Sequence, residues 1–374
     1  MNVIFTCGGT GGHINPAIAV ANTLRERHPD SRILFIGAEG EMEEKLVPMA
    51  GYEIIGLPAS SFTRGLSWQA IRHNVRGTRE VLTAMARCRK IIREFRPDVI
   101  MGTGGYASFP ALYMGSRMGI PVCVHESNAV PGLTTRLIAN RADRVLVSFE
   151  SSTQAYRHPE KVQVVGMPVR REFIYEKRED ARKALGIGDE PLVVSAFGSL
   201  GARAMNEVVA EMMRLERDDG FPFRHIHATG SLGWEWMPDL VREKGLDLSR
   251  CPRIEMREYL YNMPTVMAAA DVIISRAGAS SCNEIAASGT PCILIPSPNV
   301  TNHHQEKNAK VLEEKGAAVV LAEPDCTPRR LYDAICALLR DTDKRRSMSA
   351  ALRKLVVLDS AEQICTILEQ LARA

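Results

Sequence analysis

The chain alternates two hydrophobic periods, and it does so twice. Residues 3–5, 32–36, 99–101, 122–124 and 145–147 are short runs rich in β-branched residues, separated by longer segments of helical spacing. Ala17-Ile18, Val20-Ala21 and Leu24, for example, make one apolar helix face. Strands alternating with helices require βαβ crossovers, and therefore parallel sheets. The register restarts after residue 165. Residues 192–194 run into a glycine-rich turn and a helix, as residues 3–5 do, and runs at 224–227, 253–256, 272–274, 292–295 and 318–321 follow. Between the two series lies Gly166-Met167-Pro168-Val169-Arg170-Arg171. Two open α/β domains are predicted, residues 1–166 and 167–358, since 374 residues exceed one ordinary core. Three helical segments end the chain. The last, at about 359–374, carries Ile364, Ile367, Leu368 and Leu371 on one face and is expected to pack back on the first domain.

Composition narrows the class of function. Hydrophobic residues are 45% and charged residues 24%, the balance of a globular protein rather than a disordered one. Lys and Arg total 47 against 44 Asp and Glu, so the net charge of +3 gives no reason to expect a nucleic-acid partner. No apolar stretch reaches the ~18 residues of a membrane-spanning helix, and no signal-peptide pattern opens the sequence, so an intracellular protein is expected. Nine scattered cysteines form no Cys-x-x-Cys pair and read as buried thiols in a reducing compartment.

In open parallel sheets, ligands bind where βα turns face a crevice at the carboxyl ends of the strands. Four glycine-rich turns fall at such ends: Gly8-Gly9-Thr10-Gly11-Gly12-His13, Gly102-Thr103-Gly104-Gly105-Tyr106, Gly198-Ser199-Leu200-Gly201-Ala202 and Ser275-Arg276-Ala277-Gly278-Ala279. Glycine lets backbone approach a ligand closely, and the helix behind each turn offers N–H donors with a partial positive charge. One such turn is explained by tight packing; two per domain are not. The P-loop pattern is absent, and the first turn lacks Gly-x-Gly-x-x-Gly, although Glu39 stands where a dehydrogenase places its ribose-binding acid. An NAD-dependent oxidoreductase would not repeat the design in its second half.

These turns, with His125-Glu126-Ser127-Asn128, Gly166-Met167-Pro168-Val169-Arg170 and the stretch from Ser275 through Glu284, resemble the MurG family in order from residue 8 to about 309. That family is the UDP-N-acetylglucosamine: N-acetylmuramyl-(pentapeptide) pyrophosphoryl-undecaprenol N-acetylglucosamine transferase. The resemblance implies the GT-B architecture, two Rossmann-like domains facing a cleft. It also implies inverting transfer of N-acetylglucosamine from UDP-GlcNAc to the C4 hydroxyl of the muramyl sugar of lipid I, giving lipid II. The implied setting is the cytoplasmic face of the bacterial plasma membrane, in peptidoglycan synthesis and hence cell shape and division, beside other cell-wall synthesis proteins. No cofactor is implied.

Residue by residue, His13 stands at a helix start where imidazole can take the acceptor proton; a structural or capping histidine is the bland alternative. Thr10, Gly11, Gly12 and Asn128 are implied substrate contacts, and Gly104, Gly105 and Tyr106 an acceptor or diphosphate loop. Ser199 and the N–H groups near Ala202 suit diphosphate oxygens, with Arg170 adding a charge. Glu284 offers two acceptor oxygens to the ribose hydroxyls, Ala279, Ser280 and Ser281 lie before it, and Leu260 is implied to present backbone to uracil. Gln305 and Asn308 are implied to read the donor sugar, with His304 where the family commonly has a first glutamine. Serine at 127 and Met167 are milder departures.

No metal is assigned. His303 and His304 do not share a helix face, and Asp341-Thr342-Asp343 is expected to cap a helix. Between Trp68 and Arg96 a long basic helix is predicted, with Arg72, Arg76, Arg79, Arg87, Arg89, Lys90, Arg93 and Arg96. Trp68, Ile71, Val75, Leu82, Met85, Ile91 and Ile92 are interleaved with them. Such a segment suits an anionic membrane surface, or is an ordinary helix with a core face and a solvated basic face. Another GT-B lipid or natural-product glycosyltransferase, a UDP-GlcNAc epimerase and a non-catalytic nucleotide-sugar sensor are the alternative readings.

Overall fold

A computed structural model describes residues 1–58, 68–300 and 303–373; within the helix Trp68–Phe95, side chains are described from Glu80 onward. The chain divides into two compact units, Met1–Arg170 together with Val357–Ala374, and Arg171–Val356.

The first unit is built on seven parallel strands: β1 (Asn2–Thr6), β2 (Arg32–Ala38), β3 (Glu53–Leu57), β4 (Val99–Gly102), β5 (Val122–Glu126), β6 (Arg144–Val147) and β7 (Val162–Val164). Their order is β3-β2-β1-β4-β5-β6-β7. Alternation along β1 explains why both faces must be covered. Val3 and Phe5 enter one core with the helix Gly11–Arg27 and the C-terminal helix, while Ile4 enters the other with Ala84, Cys88 and Ile92 of the long helix. The helix Ser360–Arg373 lays Ile364, Ile367, Leu368 and Leu371 into the first of these cores. Its register is set at the rim, where Arg27 pairs with Glu369 at 3.2 Å.

The second unit has six parallel strands: β8 (Leu192–Ala196), β9 (Arg224–Ala228), β10 (Ile254–Arg257), β11 (Val272–Ser275), β12 (Cys292–Leu294) and β13 (Val319–Val320). They run β10-β9-β8-β11-β12-β13. In each sheet the order reverses beside its first strand, between β1 and β4 and between β8 and β11. A crevice opens at such a reversal because successive crossovers leave to opposite faces. All four glycine turns of the sequence sit on these two strand pairs.

Two strands, β3 and β7, were not expected from the sequence. Both are sheet-edge strands: β3 carries a glycine inside it, and β7 is three residues long with two of them exposed. Asp341 is a helix N-cap, its carboxylate accepting from Lys344 N at 2.8 Å. All nine cysteines are free thiols, and every one except the half-buried Cys336 is buried. Among the described residues no helix is long and apolar enough to cross a membrane, and no group of three potential metal ligands occurs.

Candidate functional site

In the first unit, the turn after β1 delivers His13 into the first turn of the helix Gly11–Arg27. Its Nδ1 lies 3.1 Å from the Gly8 carbonyl oxygen and 3.4 Å from Thr10 Oγ1. A carbonyl can only accept, so Nδ1 carries the proton of the neutral ring and Nε2 keeps the lone pair. Thr103, at the end of β4, donates its hydroxyl to His13 O at 2.6 Å, which ties the two turns together. Gly104 then passes across the ring. A Cβ there would come within 2.8 Å of His13 Cδ2 and 3.0 Å of Nε2, and its φ of +107° is open only to glycine without strain. Ser108 fixes this loop by donating to Gly105 O at 2.7 Å, and Tyr106 OH donates to Glu41 at 3.2 Å.

Asn128 follows β5, the next strand along. Buried Glu126 shapes its loop: one carboxylate oxygen accepts from Asn128 N and Nδ2, the other from Gly132 N. His125 is sealed behind it, its Nε2 donating to Gly166 O at 2.9 Å, and burial lowers its pKa. Arg170 is half-buried at the end of this unit's main segment.

In the second unit, Ser199 sits in the turn between β8 and the helix Arg203–Asp218. The turn is clamped against the one that follows β9. Ser231 N donates to Ser199 O at 3.1 Å, and a Cβ on Gly201 would stand 2.0 Å from Thr229 O. Asn206 holds the same carbonyl from the other side, donating Nδ2 to Thr229 O at 2.8 Å. After β11, Ala279, Ser280 and Ser281 form the first turn of the helix Ala279–Ser288, with Glu284 accepting from Ser280 Oγ at 3.2 Å. Gln305 accepts from Ser297 N at 2.9 Å through its amide oxygen, so its NH2 is the donor end of the side chain. Asn308 is buried, its Nδ2 on Ala277 O at 3.0 Å, so it braces the β11 turn. Leu260 is buried just beyond β10, at the far edge of this sheet. His303 pairs with Glu306 at 3.3 Å, and Asn302 lies outside the described residues.

Each unit thus gathers its expected residues at the carboxyl ends of its own strands. Thr10, Gly11, Gly12, His13, Gly104, Gly105 and Tyr106 share one strand pair of the first unit; Ser199, Ala279, Ser280, Ser281 and Glu284 share one pair of the second. Sequence reasoning missed the buried groups that hold these turns. Glu43 and Thr103 do so in the first unit. Asn206, and Arg276 paired with Glu323, do so in the second. Arg276 stood inside a quoted motif and was legible as a candidate. Thr103 likewise stands inside the second glycine turn; Glu43, Asn206 and Glu323 carry no local pattern. The alternative use of Glu39, as a ribose-binding acid, meets a salt bridge to Arg87 at 2.7 Å.

Residues 3–147 match the glycosyltransferase family 28 N-terminal domain, and residues 192–364 match the glycosyltransferase family 28 C-terminal domain. A protein of Acetivibrio thermocellus is 40% identical over 374 residues, spanning 100% of this chain and 99% of its own length. One from a Thermoanaerobacter species is 38% identical over 372 residues, 99% of this chain and 100% of its own. Both are named UDP-N-acetylglucosamine–N-acetylmuramyl-(pentapeptide) pyrophosphoryl-undecaprenol N-acetylglucosamine transferase. The crystal structure of Acinetobacter baumannii MurG covers 99% of each chain with a TM-score of 0.70; at 23% identity it speaks for the fold.

Proposed function

The chain belongs to glycosyltransferase family 28, among the N-acetylglucosamine transferases of the MurG family, and on that premise we propose that it moves N-acetylglucosamine from UDP onto lipid I to give lipid II. It is a hexosyltransferase of peptidoglycan synthesis. The observation that carries the reading is the pairing of two glycine turns at the strand-order reversal of each sheet, one pair bearing His13 and the other Ser199 and Glu284.

The chemistry follows from what each unit offers. Displacement in one step needs a base for the acceptor hydroxyl and relief of charge on the departing diphosphate. In the first unit the base is His13, whose Nε2 lone pair is secured by the Nδ1–H bond to Gly8 O. Thr10, Gly11, Gly12, Asn128 and the loop of Gly104, Gly105 and Tyr106 bind and orient substrate around it. In the second unit, Ser199 and the N–H groups opening the helices Arg203–Asp218 and Ala279–Ser288 receive the diphosphate; Arg170, which ends the main segment of the first unit, is the cationic contact assigned to it. Glu284 accepts from the ribose hydroxyls, the backbone at Leu260 meets uracil, and Gln305 donates to the sugar. Asn308, buried against Ala277 O, acts by holding that turn in place. The protein works at the cytoplasmic face of the plasma membrane, with the basic helix on anionic lipid.

The test is transfer of labelled N-acetylglucosamine from UDP to a lipid I analogue, comparing His13→Ala with the parent. The kcat is expected to fall by about 10²–10⁴ with UDP-GlcNAc affinity preserved, the usual worth of a positioned base. A variant with near-parental kcat would refute the role given to His13. Release of an epimerised free nucleotide sugar, without transfer, would replace the transferase reading with that of an epimerase.

A further inference from the structure

The peptide unit joining Gly8 to Gly9 is held at both ends. Its N–H, on Gly9, donates to Glu43 Oε2 at 3.2 Å; its carbonyl, on Gly8, accepts from His13 Nδ1 at 3.1 Å. Glu43 opens the helix Glu43–Met49 and is fully buried, and its other oxygen accepts from Ala38 N at 2.8 Å, at the end of β2. Gly8 leaves room for the carboxylate, since a Cβ there would meet Glu43 Oε1 at 2.6 Å. A carboxylate that accepts from a peptide N–H polarises the peptide and makes its carbonyl oxygen a stronger acceptor.

We propose that Glu43 is a positioning residue for the transfer reaction, acting on His13 through the Gly8–Gly9 peptide. It holds the ring with its proton on Nδ1 and stabilises the imidazolium formed during transfer. The proposal rests on His13 being the base. In that step the acceptor hydroxyl oxygen bonds to the anomeric carbon, and the bond from that carbon to UDP breaks with its electron pair leaving on the diphosphate. The hydroxyl proton goes to His13 Nε2. In serine-protease triads a carboxylate meets the Nδ1–H directly; here one peptide stands between them.

The other titratable groups brought to this turn are Tyr106, Glu41, Cys7, His125 and Glu126. Burial, helped by Glu41, pushes the Tyr106 phenol up to about 12; burial also raises the Cys7 thiol and lowers the His125 ring. Tyr106, Cys7 and His125 are therefore neutral near pH 7, and carboxylates are what remains to favour a proton on His13.

Nitrogen-15 NMR of the His13 side chain in the whole protein should show the neutral ring protonated on Nδ1. An Nε2–H tautomer overturns the proposal without any variant being made. Glu43→Gln keeps the size and removes the charge. It should lower kcat by at least about tenfold with the KM for UDP-GlcNAc within about twofold. The acid limb of the kcat profile should move to lower pH together with the His13 pKa. An unmoved limb, or the same proportional loss in a His13→Ala background, overturns the proposal. If Glu43→Gln does not fold, the tautomer decides alone. A fully active His13→Ala variant would instead bring down the base assignment itself, a different result from an inactive His13→Ala beside a parent protein whose His13 ring carries its proton on Nε2.

Discussion

Gly104 stands so close to the His13 ring that any side chain would have to displace it, and its backbone already lies where L residues are strained. Gly104→Ala should therefore move the imidazole rather than abolish the fold. A shift of about 1 Å in a reacting group costs on the order of 10²-fold in rate, so kcat should drop by roughly that factor. Affinity for UDP-GlcNAc, measured by titration calorimetry, should stay within about twofold of the parent, because Ser199, Glu284 and Leu260, assigned to the nucleotide, belong to the other unit. Parental kcat would show that the ring tolerates displacement. The sequence marked His13 and Gly104 as turn residues of separate motifs. Which nitrogen of the ring carries the proton was not legible, because that depends on the Gly8 carbonyl reaching Nδ1. Nor was Glu43, which meets the glycine turn only because β2 lies beside β1.

At the scale of the element, the helix Trp68–Phe95 shows how one sequence pattern serves two ends. Ala84, Cys88 and Ile92 recur every fourth residue and are buried in the sheet-facing core. Ile92, one of the apolar residues interleaved with the basic ones, thus belongs to the core, and Arg87 is engaged with Glu39. Leu82 is 63% exposed, and Arg89, Lys90 and Arg93 are exposed with it. The side chains of Trp68, Ile71, Arg72, Val75, Arg76 and Arg79 lie outside those described. Their basic run still carries a prediction from charge alone. Replacing Arg72, Arg76 and Arg79 by glutamate should cost about 3 kcal/mol of binding to anionic vesicles, roughly two orders of magnitude in partitioning, at about 1 kcal/mol per basic residue. Binding of UDP-GlcNAc should not change. Sedimentation with anionic and neutral vesicles measures the effect, and equal binding of variant and parent would sink the membrane role of this helix.

For the whole molecule, each unit seals an imidazole in its core: His125 in the first, His227 in the second. Burial lowers the pKa of both below the ordinary 6.5, His227 strongly so, with neighbouring His225 adding to the effect. His227 Nδ1 lies 2.7 Å from Ser195 Oγ, which also bonds His225 Nε2 at 2.7 Å, and His225 Nδ1 bonds buried Glu216 at 2.9 Å. Above pH 6.5 the His125 and His227 rings are neutral both folded and unfolded. As pH falls below that value the unfolded chain takes up protons that the native state refuses, so both units lose stability. The loss approaches about 1.4 kcal/mol per pH unit for each histidine. Urea unfolding at pH 7.5 and 5.5 should show it, and His227→Gln should flatten the slope for the second unit; a slope unaltered by that change would refute the assignment. The resemblance to the MurG family implied most residues of the candidate site; local pattern alone determined the two α/β units, the strand ends that bear glycine turns and the C-terminal helix. These follow from hydrophobic period and backbone freedom, which neighbours along the chain suffice to specify. Tertiary structure alone decided the edge strands β3 and β7, the tautomer of His13 and the buried carboxylates beneath the turns. An edge strand has too little burial to leave a pattern, and a buried acid acquires its meaning from backbone N–H groups that only folding brings to it.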